Sequence, residues 1–96
     1  MTYEQIRDRL GWKDSTFRGY LDPGPTIQMI SIHRAKLLLT VPREDIPLLL
    51  ASPQACCDYM GLSEVDDPTW ISSRHQDVAL PWLQAILEAY DEEADP

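Results

Sequence analysis

Eight prolines and four glycines punctuate the chain so closely that it can fold only from short elements. Between these breaks, apolar residues recur at spacings of three and four, the period of an amphipathic helix. Tyr3, Ile6 and Leu10 form the first such face, with Thr2 as N-cap and Gly11 as terminator. After Trp12 and Lys13, either Asp14 or Ser15 caps a second short helix, with Phe17 and Tyr20 inward, until Asp22-Pro23-Gly24-Pro25 stops it. Thr26 caps a longer helix, Ile27 to Leu39, whose inward face runs Ile27, Ile30, then Arg34 or Ala35, then Leu38. Val41-Pro42 breaks it, and Pro42-Arg43-Glu44-Asp45 opens another helix whose acids complement the helix dipole. Its core side is Ile46, Leu49 and Leu50, which requires Pro47 to lie within the first turn. Ser52-Pro53 starts a further helical turn through Met60, ended by Gly61, and Ser63 to Pro68 reads as an acidic loop. Pro81 is placed to start a terminal helix in which Trp82, Leu83, Ile86, Leu87 and Tyr90 make one broad apolar stripe. That stripe suits either the core or a two-fold partner. The acidic end, Asp91 to Asp95, opposes the helix dipole and is expected to fray.

A length of 96 residues with 44% apolar residues corresponds to one small domain. So small a core is marginal alone and gains from dimerisation or a partner. Leu37–Leu39 and Ile46–Ala51 are the longest apolar stretches, too short to span a bilayer. Glu4, Asp8 and the arginines interrupt the opening residues, which therefore do not read as a signal peptide. Cys56 and Cys57 are adjacent, a spacing that rarely reaches disulfide geometry, so a reducing cytoplasm is expected, with both thiols buried as small apolar groups. His33 and His75 are far apart and pair with no separated cysteines, so neither a metal nor a cofactor is expected.

The net charge is −8, but its distribution is lopsided: residues 1–43 carry +3 and residues 44–96 carry −11. Nucleic-acid binding is driven by Lys and Arg on phosphates, so only the first half has the charge for it. The asymmetry suggests that the halves face different partners.

The stretch from Tyr3 to Leu21 resembles the helix-turn-helix of phage-repressor and Cro-type regulators. Ile6 and Leu10 on the first helix, Gly11 at the corner, and Phe17 and Tyr20 on the second match the family's apolar and glycine positions. The segment Ile27 to Val41 and the run Ile46 to Leu50 look like its fourth and fifth helices. Here the pattern begins at residue 2, with Arg7 at the motif's fifth position, where the family places a small residue. The family's preceding helix is missing, so either a later segment, Trp82 to Tyr90, covers the exposed side of the first helix or the domain is incomplete. The resemblance implies an all-α single domain of five to six short helices built around the helix-turn-helix. Residues 1–51 would be the helix-turn-helix core, and residues 52–96 an acidic helical extension that packs on the core or dimerises. It further implies a small regulator binding duplex DNA as a homodimer. Lys13, Asp14, Ser15, Arg18 and Gly19 would be exposed on the recognition helix, Ser15 and Arg18 reading base edges, and Lys13 and the amides near Asp14 holding phosphates. Arg34, Lys36 and Arg43 either extend that surface or are simply solvated.

Other features have plainer readings. Trp12 at the corner is read as a partly buried lid on a small core, and His33 as a surface or boundary residue. Ser72, Ser73, His75 and Asp77 are the residue types of a catalytic triad, but they fall within six positions of one segment. A triad is assembled from separate elements, so an enzyme is not expected. The competing functional reading is an acidic protein-binding inhibitor, in which Glu64, Asp66, Asp67, Asp77, Glu88, Asp91, Glu92, Glu93 and Asp95 imitate a phosphate array before a basic groove of a host protein.

Overall fold

The structure, a computed structural model, describes residues 1–13, 32–61 and 67–94. The second helix of the expected pair, with Asp14, Ser15, Phe17, Arg18, Gly19 and Tyr20, lies outside these residues. So do the Thr26 cap, the following helix up to Ser31, and residues 62–66 of the acidic loop. Among the described residues every regular element is helical, and the chain is a small all-α domain.

Helix α1 (Tyr3–Leu10) is fixed at both ends by its sequence. Thr2 Oγ1 accepts from the Gln5 amide at 3.2 Å, and Gln5 Oε1 accepts from the Thr2 amide at 2.8 Å, a reciprocal capping box. Gly11 terminates the helix in the left-handed region (φ 71°), a conformation that costs a side-chain-bearing residue energy. Helix α2 (Ile32–Leu38) is the described part of the long third segment, and it buries Ala35 rather than Arg34. Its end tightens into 3₁₀-type bonds, Leu39 N to Lys36 O at 3.1 Å and Thr40 N to Leu37 O at 3.0 Å.

The segment after Pro42 does not enter an α-helix directly. Pro47 has no amide proton and tolerates only a helix's first turn. Arg43–Asp45 therefore form a 3₁₀ turn, and α3 (Ile46–Ala51) begins beyond it with Pro47 in its first turn. Ile46 and Leu49 are buried, whereas Leu50 is half-buried. Ser52 Oγ caps α4 (Pro53–Tyr59) through the Ala55 amide at 3.2 Å, and Gly61 follows the helix at φ 77°. Both cysteines are buried on α4 as free thiols.

The last region corrects the expectation that Pro81 starts a helix of its own. Helix α5 (Pro68–Arg74) runs through a π-helical turn, His75–Ala79, straight into α6 (Leu80–Ala94). In a regular α-helix the Pro81 ring would collide with the Asp77 carbonyl four residues back. Widening the turn just ahead of Leu80 relieves that clash without ending the helix.

Helix α6 is the centre of the core. Trp82, Leu83, Ala85, Ile86 and Ala89 are buried with Tyr3 and Ile6 of α1, Ala35 and Leu38 of α2, and Ile46 and Leu49 of α3. The apolar stripe therefore lies inside the chain, and α6 packs on α1. Trp82 is completely buried. Its indole N–H donates to the Ala35 carbonyl at 3.0 Å, and its ring lies 5.8 Å from Tyr3 and stacks on Trp12 at 5.9 Å and 17°. Half-buried Trp12 thus closes the α1 corner over Trp82, as a lid does. Among the described residues no helix is long and apolar enough to cross a membrane.

Candidate nucleic-acid interface

Of the five residues expected to meet DNA, the described structure contains Lys13, which is exposed two residues beyond the Gly11 corner. Asp14, Ser15, Arg18 and Gly19 lie outside the described residues. The turn that delivers Lys13 is built from α1 upward. The Gly11 amide bonds Asp8 O at 3.1 Å and the Trp12 amide bonds Arg7 O at 3.0 Å, so the chain leaves the helix in a fixed direction.

Among the described residues, Arg7, Arg9, Arg34, Lys36 and Arg43 are engaged within the molecule. Arg9 on α1 grips Glu92 on α6 with both terminal nitrogens, one bond measuring 3.1 Å, and lies 3.9 Å from Glu88. Arg43 binds Asp91 Oδ1 through Nε at 2.8 Å and Nη2 at 2.6 Å. The hydrogen bond to Glu92 raises the Arg9 guanidinium above its ordinary value, and burial works against it. The same bond from Arg9 holds the Glu92 carboxyl below the usual carboxylate value. Arg34 donates to the Met60 carbonyl at the end of α4. Arg7 pairs with Asp8 at 3.0 Å. The cationic ends of Arg7 and Lys36 each sit 5.6 Å from the centroid of the buried Tyr3 ring, within cation–π range.

These contacts correct the inference drawn from the lopsided charge. The acidic half turns part of its charge onto the basic half: Arg9 with Glu92 and Arg43 with Asp91 join residues 83 and 48 positions apart. Arg34, Lys36 and Arg43 accordingly do not stand as a simple solvated basic face. Nothing local in the sequence marks Arg9 and Arg43 as a pair on one helix end; the charge imbalance was the one signal available.

Among the described side chains, Ser72, His75 and Asp77 are not brought together as a site. His75 is buried, and its Nε2 lies 2.6 Å from the Leu49 carbonyl, while Ser72 and Asp77 are exposed. A carbonyl only accepts, so Nε2 carries the proton. Helix α3 ends at Ala51 with Ser52 extended, so the Leu49 carbonyl has no partner one turn on within its helix, and His75 fills that vacancy. Burial pushes the Cys56 thiol up to about 12, with neighbouring Cys57 adding to the effect. Burial also raises Cys57. Both thiols are buried, and the shift favours the protonated form over the thiolate. Among the described residues no three His, Cys, Asp or Glu side chains group as a metal site.

No family model, curated protein or solved structure matches the chain. What the fold defines is its class, a small all-α domain centred on α6.

Proposed function

We propose that this chain is a small cytoplasmic DNA-binding regulator that docks on duplex DNA through a helix-turn-helix beginning with α1. The observation that carries this reading is the packing of α6 on α1, with Trp82 against Tyr3 and Trp12. Helix α6 covers one side of α1, burying Tyr3 and Ile6 with Trp82, Leu83 and Ile86, so the corner after α1 leaves a packed helix. The capped α1, the left-handed Gly11 and exposed Lys13 supply the first half of the motif. Ser15 and Arg18 read base edges, while Lys13 and the amides near Asp14 and Gly19 hold the backbone. Trp82, Leu83 and Ile86 of the α6 stripe are buried within the chain and Leu87 and Tyr90 are half-buried, so a homodimer would draw on surface beyond the first three. The test is selection from a random duplex pool at low salt. The regulator enriches a defined site, and Arg18→Ala relaxes one base pair of it; a folded chain that enriches nothing ends this reading.

One observation favours a second reading. Arg9 and Arg43 are neutralised by α6, while Glu44, Asp45, Asp58 and Asp77 are exposed acids. Such a surface suits an inhibitor that occupies a basic groove of a host protein. That protein would bind no duplex and would compete with DNA for its partner.

A further inference from the structure

We propose that Arg9 and Arg43 form a phosphate-binding pair for duplex DNA, which the acidic last turn of α6 occupies in cis. This proposal rests on the regulator reading and adds a built-in competitor to it.

The argument starts from an unfavourable placement. Asp91, Glu92 and Glu93 lie at the C-terminal end of α6, where the helix dipole disfavours negative charge. Two arginines from other elements hold this turn: Arg9 from α1 takes Glu92, and Arg43 from the 3₁₀ turn takes Asp91. Both present two nitrogens to a carboxylate, and the guanidinium fork that fits a carboxylate fits a phosphate equally well. Arg9 lies two residues before the Gly11 corner and Lys13 two residues after it, so a duplex docked at the corner comes close to Arg9.

Release of the turn is mechanically simple. The acids are consecutive, so fraying one helical turn frees both arginines. The helix stays anchored by Trp82, Leu83 and Ile86, all fully buried. Pairs between exposed charges are individually weak, so a phosphate array displaces them readily. The cis acid then sets a threshold. Isolated anions and short contacts leave the arginines on α6, whereas a continuous duplex backbone recruits both at once.

The test uses the whole chain and a labelled random-sequence duplex, titrated across a salt series. Three variants are compared with the wild type: D91N/E92Q, the charge-matched control D45N/D77N, and R9Q/R43Q built into D91N/E92Q. Two extra phosphate contacts should steepen the dependence of log K on log salt by about two units. The D91N/E92Q chain should therefore bind more tightly at low salt and lose about tenfold more affinity than the wild type between about 50 and 200 mM. The control should gain little, and R9Q/R43Q should abolish the gain. If D91N/E92Q does not fold, Glu92→Gln alone repeats the test with a slope change of about one unit. Equal gains in D91N/E92Q and the control would overturn the proposal and leave the regulator reading intact. If no folded variant and no wild-type protein binds duplex at low salt, both fall.

Discussion

Changing Trp82 to Phe removes one hydrogen bond from the centre of the molecule while keeping most of the ring. The indole N–H donates to the Ala35 carbonyl at 3.0 Å, and the residue has no exposed surface, so no water can replace it. Leaving a buried carbonyl unpaired costs about 1–3 kcal/mol. The smaller ring also loses part of its contact with Trp12 and Tyr3, 5.9 and 5.8 Å away, where an aromatic pair contributes about 0.5–1.5 kcal/mol beyond its area. Trp82→Phe should therefore destabilise by about 2–4 kcal/mol, and Trp82→Ala by about 3–5 kcal/mol or more. A domain of this size holds about 5–15 kcal/mol, so the Phe variant should remain folded at low temperature with a clearly lowered midpoint. Urea unfolding followed by circular dichroism measures the difference. A loss under about 0.5 kcal/mol, the range of surface substitutions, would refute the claim that Trp82 joins α1, α2 and α6.

The same reasoning separates neighbouring residues. Ile6→Ala, at a site 1% exposed, should cost about 2–5 kcal/mol, whereas Leu48→Ala, at a site 63% exposed, should change the urea midpoint little. His75→Leu should lower stability in urea by about 1–3 kcal/mol by leaving the Leu49 carbonyl unpaired. Cys56 is raised by burial from 9.0 to about 12, so the folded state keeps it protonated where the unfolded chain ionises. Its contribution is complete below pH 9 and is lost as pH rises toward about 12, with a slope near 1.4 kcal/mol per unit. Cys56→Ala should flatten the alkaline limb of a stability-against-pH curve, and an unchanged limb would contradict the burial.

The elements written locally were legible from the sequence. Thr2 and Gly11 bracket α1, Ser52 with Pro53 and Gly61 bracket α4, and the period of Trp82, Leu83 and Ile86 marks a buried face, because each signal lies within a few residues of its effect. Gln5, three residues after Thr2, completes the cap; that signal was equally local, but the sequence reading named only Thr2. What escaped depends on contacts between distant segments. Whether the α6 stripe met the core or a second chain depended on where α1 lay. The π-helical turn depends on how the helix accommodates Pro81 while keeping Val78 and Ala79 buried. His75 became a partner for α3 only once the fold brought it, 26 residues along the chain, against the Leu49 carbonyl left open at the end of that helix. Charge counting found the imbalance but assigned it outward, since nothing in composition reveals that Arg9 and Arg43 close onto α6.

Docking of the α1 corner on duplex DNA, as proposed, is tested by a salt-dependent titration of wild type and Lys13→Ala with random-sequence duplex. Lys13 is exposed, so its truncation should cost no more than about 0.5 kcal/mol, the range of surface substitutions. The wild type should bind with an affinity that falls steeply as salt rises, and Lys13→Ala should bind more weakly with a log–log slope reduced by about one unit. A folded wild-type protein that binds no duplex at low salt, or one whose binding Lys13→Ala leaves unaltered in both affinity and slope, would contradict it.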